Sequence, residues 1–419
     1  MESLLVRGGR RISGQWRVDG AKNAALPILA ACVLTEDEVC LKGMPDITDV
    51  HRMADILGML GCGVKREGRD MVISGRSMCC SEMPDGLSKQ IRSSIFMLGP
   101  ILSRFRQATV TYPGGCEIGM RPIDLHLVGL RALGVVIREE GGVIHCDGSS
   151  MHAGEVHLDY PSVGATENVM MASVCLRGET VIHNAAREPE IADLAAFMNS
   201  MGARVRGAGS ATITVDGVER LHGTQYAPMP DRIVAGTLLA AAAITGGEVH
   251  LTNAPVDAMH AINAKLREMG CEMAETADEI RLKAPARLRA FPMLQTQPHP
   301  GFPTDMQVQM LALLTVAQGT GVIVENVFEN RFTHAGEMNR MGARILCAGR
   351  TAVVHGVRQL TGAQVTARDL RGGAALVLCG LAAQGETCVD NAALIDRGYE
   401  RLENQLCALG ADVRRIAQT

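Results

Sequence analysis

Cys116 stands in the segment Tyr112-Pro113-Gly114-Gly115-Cys116-Glu117-Ile118-Gly119-Met120-Arg121-Pro122-Ile123-Asp124-Leu125-His126. Its glycines and prolines dictate a loop rather than a helix or strand. A thiol on such a loop, close to Arg121, is accessible and near positive charge, which favours the thiolate. It can protonate a substrate carbon or attack one. The competing reading is a passive small hydrophobe. That suits the rest of the chain's 13 cysteines, but the loop gives Cys116 no apolar stripe to join.

Two further segments have the residues for acid, base or anion chemistry. In Asp19-Gly20-Ala21-Lys22-Asn23-Ala24-Ala25-Leu26, a glycine turn leads into an apolar helix with Lys22 at its start. Unpaired N–H groups and the helix dipole attract an anion there, and an ammonium adds a point charge. A solvated surface lysine fits the spacing equally well. In His299-Pro300-Gly301-Phe302-Pro303-Thr304-Asp305-Met306-Gln307, Asp305 falls at a helix start. It suits an N-cap, a general base, or both. Arg92, Arg121, Arg331, Arg371 and Arg397 lie near the starts of helices or in the loops before them. Any one of them reads as a surface ion pair. Their recurrence at equivalent positions instead suggests a shared face that forks onto carboxylate or phosphate.

These groups are carried by a repeat. Gly61, Gly134, Gly202, Gly270, Gly342 and Gly410 recur at intervals of roughly 70 residues, each closing an apolar-periodic helix before a strand. Each glycine supplies the left-handed residue that ends the helix. Asp49, Asp124, Asp193, Asp257, Asn330 and Asp396 are expected to cap these helices. Interleaved with them are small-residue helices, apolar all round and therefore buried, each followed by a glycine turn and a β run. Examples are residues 169–176, 237–244, 308–316 and 374–383. The unit is β-α-β-α-β-β, repeated six times, which gives an α/β chain. Six units exceed one core, so two lobes of three units are expected, and the two chain ends can complete one lobe together.

Composition narrows the function. Net charge is −4 and aromatics are 3%, with no basic excess and no stacking platform for nucleic acid. There is no Walker loop, no GxGxxG between strand and helix, no HExxH and no CxxC pair. The N-terminus lacks an apolar signal region, and the most apolar run, residues 233–245, is too short to span a bilayer. The odd cysteine count, with the vicinal Cys79-Cys80, fits a reducing compartment. The expectation is a cytoplasmic protein without membrane or nucleic-acid partners.

Lys22-Asn23, the 113–126 loop, PSVGAT at 161–166, NAAREPEI at 184–191, PDRI at 230–233, FPTDMQ at 302–307, ENRF at 329–332 and IDRGYER at 395–401 together resemble the UDP-N-acetylglucosamine 1-carboxyvinyltransferases of the enolpyruvyl transferase family. The resemblance runs end to end. It implies two inside-out α/β barrel domains, residues 1–21 with 230–419 and residues 22–229, with the active site in the interdomain cleft. It implies phosphoenolpyruvate and UDP-N-acetylglucosamine as substrates, no cofactor or metal, and the first committed step of peptidoglycan synthesis.

By the same resemblance, Lys22 and Arg121 would hold the phosphate of phosphoenolpyruvate. Arg371 and Arg397 would hold its carboxylate and neighbouring charge. Asn23, Arg92, Arg121, Pro122, Ile123, Asp124, Leu125, Asp305 and Val327 would contact the nucleotide sugar, with Arg331 beside them. Ser162, Val163 and Gly164 would lie along the uridine and diphosphate. Cys116 would protonate the methylene carbon and is the thiol that the epoxide fosfomycin alkylates in the family. Asp305 would take the proton of the sugar 3′-hydroxyl. One departure is Tyr160-Pro161 before Ser162, where many members carry lysine, so residue 160 receives no role. The alternatives are the sister transferase acting on shikimate 3-phosphate, which uses no cysteine on this loop, and a non-catalytic paralogue that senses nucleotide sugars.

Overall fold

The computed structural model describes residues 2–83, 86, 92–112 and 123–417. Cys116, Arg121 and Pro122 lie outside the described residues.

The chain forms two compact units. One comprises residues 2–19 and 230–417, the other the described residues between 20 and 229. Each is organised by three helices that the sequence leaves without a polar face. In the first unit these are Arg232–Thr245, Thr304–Val316 and Leu370–Ala382, which pack on one another. Of the first, every residue from Arg232 to Ile244 is buried. In the second unit Lys22–Ala31, Leu98–Phe105 and Val163–Ser173 play this part. Small residues permit the close approach. A Cβ on Gly99 would come within 2.4 Å of the Asn168 carbonyl oxygen, and one on Gly236 within 2.8 Å of the Met306 side chain.

Sheets surround the helices. Their strands alternate buried and accessible positions, as in Glu179–His183 and Thr212–Asp216, which is the signature of a sheet with one face on a core. Five four-stranded sheets repeat one order, typified by strands 204–206, 212–216, 179–183 and 155–157. The last pair is parallel and the others antiparallel. A further sheet has three named strands, and Glu82 bridges Thr109 where the parallel edge would lie; the short strands 360–361 and 383–384 pair separately. The architecture is thus helices within, sheets without, in two domains of three β-α-β-α-β-β units. In one of the sheets Glu2–Arg7 lies between Glu386–Asp390 and Asp412–Ala417, pairing antiparallel with both.

The six marker glycines end their helices as the repeat requires. Their φ values are 95°, 85°, 96°, 98°, 89° and 91° in chain order. In each, the glycine N–H and the following N–H bond back to carbonyls of the last turn, as in Gly61 to Gly58 and Cys62 to Leu57. This is the Schellman arrangement, and it needs a residue free to adopt positive φ.

The expected N-caps are corrected. Helix Thr48–Met59 begins before Asp49, and Pro189–Ser200 begins well before Asp193. Asp193 instead accepts from the Tyr226 hydroxyl at 2.7 Å and the Met229 N–H at 3.0 Å. Asp257 lies in a short 3-10 turn before helix His260–Glu268, Asn330 lies upstream of Ala335–Arg340, and Asp396 follows helix Ala392–Ile395. Side-chain caps occur on the buried helices. Asp231 accepts from the Ile233 and Val234 N–H groups, Asp369 from those of Arg371 and Gly372, and Ser162 from that of Ala165. A buried helix end has no water to satisfy its N–H groups, so it needs the side chain most.

Candidate active site

In the first unit, Asp305 occupies the second position of helix Thr304–Val316, not its N-cap, which is Pro303. Its carboxylate turns to two buried arginines. Arg331 Nη2 donates to Oδ1 at 2.9 Å. Arg371 donates to Oδ2 from Nη2 at 3.0 Å and from Nε at 3.3 Å. The arginine side chains are 2% and 3% exposed, whereas Asp305 is 25% exposed. The clamp therefore leaves the carboxylate accessible. Burial opposes the charge on Arg371, but the facing Asp305 more than restores it and holds that guanidinium charged. Arg371 Nη1 and Arg331 Nε are buried and bond none of the described residues. Buried donors of this kind are groups that an anionic ligand could complete.

Arg371 reaches this position because Asp369 caps its helix and because its guanidinium lies 5.3 Å from the Tyr399 ring. The buried Tyr399 hydroxyl joins Thr237 at 2.8 Å and Gln309 at 3.2 Å, tying two of the inner helices to the floor beneath Arg371. Arg397, half-buried, lies in the turn just before Tyr399. The preceding Asp396 is held by two bonds from Arg415, which also binds Glu403 and Glu2. Val327 lies in the loop after strand Thr320–Val324, its N–H donating to Glu325 at 2.8 Å.

In the second unit, Lys22 is the first residue of its helix. Its ammonium pairs with buried Asp49 at 2.8 Å and is only 12% exposed, which discards the solvated surface alternative. Asn23 is half-buried beside it. Ser162, Val163 and Gly164 start the helix Val163–Ser173 and are half-buried. The imidazole of His126 closes against Gly164, where a Cβ would meet it at 2.8 Å. His126 Nδ1 and the Asn168 amide are 2.7 Å apart, and Asn168 also donates to Ile95 and accepts from Gly99. Burial, and then the charge of Arg92, push the His126 pKa down to about 3. Arg92 begins the 3-10 turn Arg92–Met97. Ile123 is buried, Asp124 exposed and Leu125 half-buried at the start of Asp124–Ala132.

Sequence reasoning missed Asn168, Asp49, Glu325 and His126 as supporting groups. Only His126 lay in a segment singled out for its composition.

Buried His126 has a first-unit counterpart in His334. Burial, with Arg331 adding to it against Asp369, depresses the His334 pKa to about 4. Both histidines are neutral when folded but charge near pH 6.5 when unfolded. Their stabilisation is complete above pH 6.5 and is lost as pH falls toward 4 for His334 and 3 for His126. Unfolding free energies from denaturant titrations are expected to fall on acidification through this window, by about 1.4 kcal/mol per pH unit for each histidine. His126→Gln should flatten that slope, and an unchanged slope would remove His126 as a contributor.

A family profile described as EPSP synthase (3-phosphoshikimate 1-carboxyvinyltransferase) matches residues 6–406. The solved enolpyruvyl transferase NikO from Streptomyces tendae superposes with a TM-score of 0.89 at 25% identity, covering 99% of this chain and 98% of that one. EPSP synthase from Acinetobacter baumannii gives 0.77 at 15% identity with both chains fully covered, a likeness of fold alone.

The chain belongs to this EPSP synthase family of carboxyvinyltransferases. Among its curated relatives, UDP-N-acetylglucosamine 1-carboxyvinyltransferase 2 of Caldanaerobacter subterraneus is 50% identical over 99% of this chain and 100% of the relative. UDP-N-acetylglucosamine 1-carboxyvinyltransferase of Myxococcus xanthus is 47% identical over 99% of each.

No helix among the described residues is long and apolar enough to cross a membrane.

Proposed function

We propose that the chain transfers the enolpyruvyl group of phosphoenolpyruvate to the 3′-hydroxyl of UDP-N-acetylglucosamine, releasing phosphate, as the first committed step of peptidoglycan synthesis in the cytoplasm. The observation that carries the choice of acceptor is the contrast in likeness. Relatives named for the amino-sugar nucleotide share about half of all residues end to end, whereas the EPSP synthase structure shares 15%.

The geometry of each unit supplies groups this reaction needs. Asp305 is accessible and oriented by two guanidinium groups, so it can accept the proton of the attacking hydroxyl. Cys116 delivers a proton to C3 of phosphoenolpyruvate, and the sugar oxygen bonds to C2, giving a tetrahedral ketal. Loss of a C3 proton and cleavage of the C2–O bond to phosphate restore the double bond and release the product. Lys22, Arg121, Arg371 and Arg397 bind the charges of the small anion and of the departing phosphate, an electrostatic arrangement set before reaction. Arg331, already on Asp305, orients it. Asn23, Arg92, the 121–125 segment, Ser162, Val163, Gly164 and Val327 bind the nucleotide sugar. The two domains of this reading are residues 1–21 with 230–419, and 22–229.

The test is acceptor choice. Purified protein is expected to release phosphate from phosphoenolpyruvate with UDP-N-acetylglucosamine and not with shikimate 3-phosphate. The opposite pattern overturns the assignment, and release with neither supports the sensor alternative.

A further inference from the structure

Glu325 is fully buried at the end of strand Thr320–Val324, and no guanidinium, ammonium or imidazole bonds its carboxylate among the described residues. Instead it gathers four neutral donors from three segments. Oε1 accepts from the Thr296 hydroxyl at 2.8 Å, the Val327 N–H at 2.8 Å and the Phe328 N–H at 3.1 Å. Oε2 accepts from the Thr304 hydroxyl at 2.9 Å. Thr304 directly precedes Asp305, and its own carbonyl lies 3.5 Å from Arg331 Nη2. Thr296 extends the Oε1 side, since its hydroxyl accepts from the Asn326 N–H at 2.8 Å and its carbonyl from the Asn326 amide at 3.2 Å.

A buried carboxylate is costly to keep and needs each of its bonds. A surface loop such as 326–328 does not require one merely to turn. What these bonds share is their destination: one oxygen fixes the first residue of the Asp305 helix, the other the backbone of the Val327 loop. We propose that Glu325 is a positioning residue that sets the proton-accepting carboxylate and the sugar-binding loop in register through one rigid side chain. The inference rests on the roles given above to Asp305 and Val327. The Oε2 arm governs the chemical step through Asp305, and the Oε1 arm governs affinity for the nucleotide sugar through Val327.

The variants are nearly isosteric and replace neither Asp305 nor Val327. Thr304→Val removes the Oε2 donor and is expected to lower kcat roughly 10- to 100-fold, the scale for small misplacement of a reacting group, with little change in KM for UDP-N-acetylglucosamine. Thr304→Ser restores the hydroxyl and should restore most of that kcat. Thr296→Val weakens the Oε1 arm and should raise KM for the nucleotide sugar while kcat falls less. Asp305→Asn is run beside them, with thermal unfolding of every variant. If Asp305→Asn is inactive while Thr304→Val keeps full kcat, or if Thr304→Ser fails to restore what Thr304→Val lost, the Glu325 inference is overturned alone. If both threonine variants only melt earlier, with kcat and KM unchanged per folded molecule, Glu325 is merely structural and the inference also fails. An active Asp305→Asn instead overturns the role of Asp305, and the inference with it.

Discussion

Cys116→Ala is expected to lower phosphate release in the presence of UDP-N-acetylglucosamine by about 10²- to 10⁴-fold, the range a positioned general acid supplies. Protonation of C3 is what makes C2 electrophilic, and a methyl group cannot supply the proton. Binding of both substrates should survive, because the arginines, Lys22 and the nucleotide-sugar contacts are untouched, so the loss should fall on kcat. Cys116→Asp should recover part of the activity, since a carboxylic acid also carries a transferable proton. Neither variant should be labelled by fosfomycin, which mass spectrometry of the treated protein reads directly. Wild-type turnover in Cys116→Ala would remove the thiol from the reaction.

Arg371→Met should reduce kcat/KM for phosphoenolpyruvate by roughly 10²- to 10³-fold, the scale for removal of one preorganised charge donor. The substitution keeps an apolar stem against Tyr399 but deletes both bonds to Asp305 and the unbonded Nη1. Folding should suffer less, by about 1–2 kcal/mol, because Arg331 still neutralises Asp305 and the carboxylate retains contact with water. Arg371→Lys keeps a charge but loses the planar fork, so it should recover only part of the activity. Steady-state kinetics with phosphoenolpyruvate varied, normalised to folded protein, separate the two effects. Unchanged kcat/KM in Arg371→Met would place the substrate anion elsewhere.

How much of this could be read from residues alone varies with the range of the interaction. The glycines at 61, 134, 202, 270, 342 and 410 announce themselves because the constraint is local: positive φ at the end of a helix admits little else. The buried helices were legible from their lack of any polar face. The caps were not. Asp49 and Asp193 look like helix starters in one dimension, yet burial makes them partners of Lys22 and of Tyr226 with Met229. Asp305 was recognisable as a candidate general base, but its two arginines lie 26 and 66 residues further along the chain, one in the same repeat and one in the next, and no local pattern pairs them. Glu325 was invisible for a related reason. A glutamate after a β run reads as surface charge, and only the folded chain reveals four donors around it.

The strand formed by residues 2–7 is seated between two that arrive almost at the other extreme of the chain. During synthesis on the ribosome, the unit built from one continuous stretch has all its strands once residue 226 has emerged. In the other unit, strand 2–7 gains both of its neighbours only after residues 386–390 and 412–417 have been made. Sheet closure in the interrupted unit thus joins segments nearly 400 residues apart, whereas the continuous unit closes on partners made within one uninterrupted stretch.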